Sequence, residues 1–349
     1  MSKIMTHYTS SNAIKSVIEN KKIWFSDIRF MNDYAELEPY IIAGISNGKL
    51  PLDDLDGVLD IKKIEEYNKA IEDIARTIAA KTRYFILCGS LNKNKLSMWN
   101  YYGKGTDSNG CNITIDIETL LKHIYDNFVS KIDGAKLLHG KVFYRDTFED
   151  IQESIQNTYV YAMKKISEND TSIDNFNNAM PQLIEPVLLY IAKDEYKDEI
   201  KNNIELYKEK MCNAMLNEGE DVDLSKNIIT TNIYNGSSNI DPLDIECFVK
   251  YGEWYEEEEY RIVISIPEIN IKNIEDGFPS DRKGSIISKR SAHGLEIPFL
   301  FVDFNPECIL ESKISPYNKE KDSVEKLEKF YTDNGIKPIV SKSNYHVAY

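Results

Sequence analysis

The chain has 349 residues, and its 42 Lys+Arg against 57 Asp+Glu give a formal net charge of −15 with histidine neutral. Such a field repels phosphate backbones and anionic lipid at long range, which excludes a protein that coats nucleic acid or membrane through its overall charge while leaving room for a local basic pocket. With 42% hydrophobic and 28% charged residues the composition is that of a globular chain rather than a disordered one, and the length accommodates one large domain or two modest ones.

No run reaches the roughly 20 apolar residues that span a bilayer. The opening MSKIMTHYTSS has no signal-like apolar core, so the expected location is the cytoplasm, with no membrane partner. Cys88, Cys111, Cys212, Cys247 and Cys308 form no CxxC and suit a reducing compartment. His7, His123, His139, His293 and His346 are dispersed without HExxH spacing, so no metal site is expected from them.

In chain order, a short strand around Met5 to Tyr8 leads to Ser10 or Ser11 as the N-cap of a helix whose Ile14, Val17 and Ile18 share one face. KKIWFS, Lys21 to Ser26, reads as extended, and a helix is expected after Asn32-Asp33. PLDDLDG reads as a solvated loop, and Ile61 to Lys81 as a helix with Ile64, Ile71, Ile74 and Ile78 on its apolar stripe. RYFILCGSL, Arg83 to Leu91, and GCNITIDI, Gly110 to Ile117, read as strands, the second with one polar face, and the aromatic segment Trp99, Tyr101 and Tyr102 lies between them.

From Ile117 to about Asn235 the pattern is mainly helical, interrupted by a strand in Lys136 to Asp146, with helices expected over Phe148 to Glu168, Pro181 to Tyr196 and Glu199 to Leu216. A second strand block follows: EWYEEEEYRIVISIPEI, where Tyr260, Ile262, Ile264 and Ile266 alternate against Arg261, Val263 and Ser265, then LEIPFLFVDF and ECILESKISP. A helix over Lys319 to Tyr331 feeds a last short strand in KPIVSKSNYHVAY. Strand-rich ends around a helical middle argue for one α+β domain over 1–349, its sheet assembled from both ends, with 117–235 as a mainly helical insertion.

The sequence carries no GxxxxGK[ST], GxGxxG or GxSxG. What it does carry is polar residues at the ends of expected strands: His7 with Tyr8, Thr9 and Ser10; Asn32, Asp33 and Glu36; Trp99 and Tyr102; and Glu256 to Glu259 before Tyr260-Arg261. HYTSSNAIKSVIENKKIWFSDIRFMNDYAELE, FILCGSLNKNKLSMWNYYGKGTDSNGCNITID, YGEWYEEEEYRIVIS and PYNKEKDSVEKLEKF with IKPIVSKS resemble the DUF2971 family of bacterial proteins.

The first of these motifs, a strand-borne His7 followed by Tyr8-Thr9-Ser10 and a short helix, is also similar to the opening of ADP-ribosyltransferase-like domains, including DarT-like toxins. That resemblance implies a split mixed or antiparallel sheet holding NAD as substrate, with His7 at the nicotinamide ribose, Tyr8 or Thr9 defining the cleft, and Glu258 or Glu259 as the catalytic glutamate. The family commonly has tryptophan where this chain has Tyr260. A toxin or anti-phage role with a protein or nucleic-acid acceptor is a further implication.

Cleaving a nicotinamide glycosidic bond develops positive charge on ribose, which a carboxylate stabilises. An aromatic face from Trp99, Tyr101 or Tyr102 is suited to stacking on the ring, and Arg83, Arg29 or Arg261 to pairing with the pyrophosphate. Amides at the start of the helix near Ser11 suit an anion. Plainer readings stand beside these: His7 bonded within the core, Asn32-Asp33 as turn and cap, Trp99 and Tyr102 as core, and the glutamates as a soluble strand edge. A non-catalytic nucleotide- or protein-binding defence module and a metal-dependent nuclease using Asp33, Glu36 and the acidic run are the alternative functions.

Overall fold

The computed structural model describes residues 3–31, 57–66, 69, 81–103, 110–145, 186–207, 232–233, 244, 247–275, 287–292 and 295–345. The chain opens with β1 (Ile4–Ser10), α1 (Ser11–Asn20) and β2 (Lys22–Asp27). Ser10 is the N-cap of α1, its side chain accepting from the Ala13 amide, and Lys21 at φ 49° ends the helix so that β2 can turn back. The next elements are β3 (Thr82–Ser90), α2 (Leu96–Tyr102), β4 (Gly110–Asp116), α3 (Ile117–Asn127), β5 (Lys136–Lys141) and β6 (Phe143–Arg145). They are followed by α4 (Lys197–Asn202), β7 (Asn232–Ile233), β8 (Val249–Tyr251), β9 (Glu259–Pro267) and α5 (Glu268–Glu275). The last part holds β10 (Ile287–Ala292), β11 (Leu295–Asp303), β12 (Ile309–Ile314), α6 (Ser323–Asp333) and β13 (Ile339–Lys342).

These strands build a mixed α+β fold. An 11-stranded sheet runs β10-β11-β2-β3-β1-β4-β12-β13, with β9, β5 and β7 branching from β3. All pairings in it are antiparallel except β12 with β13, which is parallel. Early and late strands interleave, β11 on β2, β9 on β3 and β12 on β4. One face is covered by α1, α3, α5 and α6, whose Ile14, Ile18, Leu120, Leu121, Ile124, Ile271, Leu327 and Tyr331 join Phe85, Leu87, Ile262 and Ile264 in the main core. Each fully buried aliphatic side chain of this kind contributes about 1.5–3 kcal/mol relative to exposure.

The expected polar face of Gly110–Asp116 is buried instead, because the loop before α2 and strand β12 cover it. Asn112 meets this by donating to the Lys93 carbonyl and accepting from the Lys313 amide, and Thr114 pairs with Thr6 at 3.2 Å. The C-terminal helix starts at Ser323 rather than Lys319: Asn318 accepts from the Glu320 amide and Ser323 donates to the Glu320 carbonyl, so turns occupy that approach. The strand expected in Lys136 to Asp146 is two, β5 joining the main sheet through β9 and β6 pairing β8. Described parts of the helical segments, 57–66 and 186–207, form a small second core around Leu59, Leu188, Ile191, Ile200 and Tyr207. The helix expected over Phe148 to Glu168 lies outside the described residues.

Two glycines clamp α2. A Cβ on Gly110 would lie 1.7 Å from the Gly103 carbonyl oxygen, and one on Gly103 would lie 2.4 Å from the Trp99 ring. Alanine at Gly110 therefore has to part α2 from β4, and we expect Gly110→Ala to lower the urea-measured stability by about 2 kcal/mol or more. Native-like stability in that variant contradicts the close approach.

Candidate functional site at a fork in the sheet

Strand β3 gives one whole edge to β9, from Thr82↔Pro267 to Ser90↔Glu259. Its other edge forks: β2 pairs at Phe85 and Ile86, β1 pairs at Ser90, and Leu87, Cys88 and Gly89 lie between. His7 enters the gap, its Nδ1 2.8 Å from the Cys88 carbonyl oxygen. A carbonyl only accepts, so Nδ1 carries the proton and Nε2 is left with its lone pair. Burial lowers the His7 pKa below 6.5, outweighing the bond to Cys88, so the ring is neutral at physiological pH.

A cavity of about 540 Å³ occupies the fork, within the usual range for small-molecule sites. Met5, on the His7 side of β1, packs in the main core, whereas Tyr8 packs on the opposite face against Met98 and Trp99. In β9, Tyr260 and Ile262 belong to the main core, so Glu259 and Arg261 alternate to the other face. The cavity is lined both by Ala13 and Val17 of α1 and by Tyr102, Glu257 and Glu259, and so passes through the sheet.

The four consecutive glutamates divide. Glu258 adopts φ 45°, and the chain alternates around it. Glu256 and Glu258 turn outward to Lys95, at 3.1 and 3.2 Å. Glu257 and Glu259 are buried and line the cavity. Arg261 donates to both Glu259 oxygens, at 2.9 and 3.2 Å, and through Nη1 to the Cys247 carbonyl at 2.7 Å. Lys250, 4.7 Å from the Trp254 ring centroid, reaches Glu257 at 2.9 Å and Glu259 at 3.4 Å. Burial opposes ionisation of Glu259, but the Arg261 and Lys250 cations prevail and hold its pKa below the ordinary carboxylate value. Tyr102 donates to Glu257 at 2.6 Å; burial, with the glutamate charge, raises the phenol's pKa and keeps it protonated.

Of the residues singled out in the sequence, the fold brings His7, Tyr8, Thr9, Ser10, Tyr102 and Glu259 to the cavity. Tyr8 also braces the loop before α2, donating to the Asn92 carbonyl and accepting from the Lys95 amide, and burial pushes its pKa up to about 12. Glu258 points to the surface, and Arg261 lies fully buried behind Glu259. Trp99 is enclosed, its indole N–H donating to Asn94 and Tyr8 standing edge-on to it at 4.9 Å, so it supports α2. Arg83 is held by Asp27 toward the other end of β3. Asn32, Asp33 and Glu36 lie outside the described residues. Among the described residues no three His, Cys, Asp or Glu side chains are grouped to hold a metal ion.

Sequence reading passed over Lys250 and Cys88 and left Glu257 undistinguished within its run. Positions 259 and 261 share the period of two that marks one face of β9, whereas Glu257 ends the 3-10 turn before it and is turned inward by the positive φ of Glu258. Nothing comparable marks Lys250, whose place depends on β8 pairing with β6.

A family model described as a protein of unknown function, DUF2971, matches residues 98–262. The span runs from Met98 in α2 to Ile262 in β9, and so contains Tyr102, Lys250, Glu257 and Glu259 but not His7. No curated protein and no solved structure matches the chain. Among the described residues no helix is long and apolar enough to cross a membrane, and Cys88, Cys111, Cys247 and Cys308 form no disulfide with one another.

His7 and His139 set a pH dependence. His139, whose Nδ1 is 2.6 Å from the Tyr260 hydroxyl, has its pKa lowered to about 4 by burial and then by Lys3, and His7 is also lowered from 6.5. Below pH 6.5 the unfolded chain therefore binds protons that the folded chain does not, and stability present above that pH is lost as it falls toward the folded values. Glu259 acts in a lower window, its contribution being present above 4.5 and lost as pH falls below it. We expect the urea midpoint to drop between about pH 7.5 and about pH 5.5, and His7→Gln to lessen that drop. An identical slope in the variant contradicts a neutral His7.

Proposed function

We propose that this chain is an NAD-consuming enzyme of ADP-ribosyltransferase-like type. The observation that carries the reading is that a neutral histidine with a free Nε2 lone pair and an ionised glutamate open onto one cavity through a forked sheet. In the reaction the bond between ribose C1′ and nicotinamide nitrogen breaks, and nicotinamide leaves with the bonding pair. An acceptor nucleophile then bonds to C1′ and loses its proton. Glu259 supplies negative charge beside the cationic sugar, and Arg261 holds that carboxylate ionised and oriented. His7 Nε2 accepts from a ribose hydroxyl, while its Nδ1 bond to Cys88 fixes the ring. Thr9 and Ser10 add hydroxyls to the same wall.

A second reading, a binding module without chemistry, draws support from the cation pairing. Glu257 and Glu259 are matched by Lys250 and Arg261, so the buried group is neutral overall and satisfied without a ligand. Incubation with NAD separates the two readings. We expect nicotinamide release from the wild type, a fall of roughly 100-fold or more in Glu259→Gln and a marked loss in His7→Ala. Glu258→Gln, altered only on the surface, should stay within about twofold. An NAD-dependent thermal shift without nicotinamide supports the binding module, and equal damage from the Glu258 and Glu259 substitutions refutes the assignment of Glu259.

A further inference from the structure

A second cluster of charged side chains, outside the cavity, lies where β2 ends and β3 begins. Asp27 is fully buried, and its carboxylate collects five hydrogen bonds. Oδ1 accepts from the Arg29 amide at 3.1 Å and from Arg29 Nε at 3.0 Å, while Oδ2 accepts from Arg29 Nη2 at 2.7 Å and from Arg83 Nε and Nη2 at 3.2 and 2.8 Å. One carboxylate therefore holds both guanidinium groups. Arg83 is further fixed over the Phe85 ring at 5.1 Å. Like-charged guanidinium groups repel, so this pairing persists because Asp27 lies between them.

Neither Nη1 has a hydrogen-bond partner among the described residues, and the Arg83 side chain keeps 11% of its surface accessible. Arg29 is half exposed, its side chain 51% accessible. A second acid faces the pair: Glu268, the first residue of α5, has Oε2 buried without a hydrogen bond, 4.0 Å from Arg83 Nε. It sits beyond hydrogen-bond reach, so it offsets the guanidinium charge without occupying the outer donors. Arg83 and Ser90 are separated by seven strand steps, roughly 23 Å, which puts this cluster far from Glu259.

We propose that Arg29 and Arg83, clamped by Asp27, form a binding site for a phosphate-type oxyanion, separate from the cavity at the fork. Paired guanidinium edges match the oxygens of phosphate, and prior fixation by Asp27 removes part of the ordering cost of capture. Glu268 makes the four-residue cluster neutral and restrains the affinity. The site is independent of any reaction with NAD.

The test is titration of the full chain with inorganic phosphate and with pyrophosphate at constant ionic strength, with chloride as control, followed by calorimetry and phosphorus NMR. Saturable binding is expected, weakened severalfold by Arg29→Gln and also by Arg29→Lys, which keeps the charge but loses the fork. Glu268→Gln should tighten binding on the order of threefold, because a competing carboxylate disappears. A purely structural salt-bridge cluster predicts the reverse pattern: no phosphate binding in either protein and lower stability in the Glu268 variant. Absence of saturable binding in both wild type and Glu268→Gln overturns the proposal, as does binding that Arg29→Gln leaves unchanged. Arg29 is at the surface, so its variants keep the test intact if Arg83→Gln fails to fold.

Discussion

A strand has two edges, and in this fold β3 is asked to serve three neighbours. One edge is fully used by β9, so β2 and β1 must divide the other, β2 near Phe85 and Ile86 and β1 at Ser90. The strands cannot both follow that edge and must part, and in the gap between them the Cys88 carbonyl accepts from a side chain. An orphaned buried carbonyl is costly, on the order of 1–3 kcal/mol. His7 meets the need by donating from Nδ1. The residue that completes the hydrogen bonding of the fork is thus also the residue whose second nitrogen opens into it.

The opposite wall depends on charge balance. Glu257, Glu259, Lys250 and Arg261 are all buried and share contacts, so removing one partner leaves a charge uncompensated in a poorly solvated place. The left-handed Glu258 makes this arrangement possible, since it sends its own side chain to Lys95 while its neighbours turn inward. Such a conformation is strained for a residue with a Cβ, and it stands beside the candidate site rather than in a remote turn. Tyr102 links this wall to α2, which Trp99, Tyr8 and the paired glycines Gly103 and Gly110 hold in place. Packing and electrostatics on this face therefore stand or fall together.

Much of this was legible in the sequence. The strand–helix–strand opening, the Ser10 cap and the alternation in β9 follow from local chemistry, and so did the mixed α+β character. The face assignment of β4 was misread because Asn112 and Thr114 look solvent-facing until β12 and the loop before α2 arrive to pair with them. Local patterns also cannot tell which of four adjacent glutamates turns inward, since that depends on one positive φ. Nor can they pair Arg83 with Asp27, 56 residues away, or place Lys250, whose position is set by β8 pairing with the distant β6. His7 was visible as a polar residue in a strand, but its donor role required knowing that the sheet forks.

The most direct test is nitrogen NMR of the His7 imidazole in chain labelled at histidine, followed through pH and NAD additions. The account predicts a neutral ring protonated at Nδ1, a pKa below 6.5, and an Nε2 resonance that moves when NAD is added. A ring protonated at Nε2, or one that titrates at 6.5 and is indifferent to NAD, contradicts both the fork geometry and the site built on it.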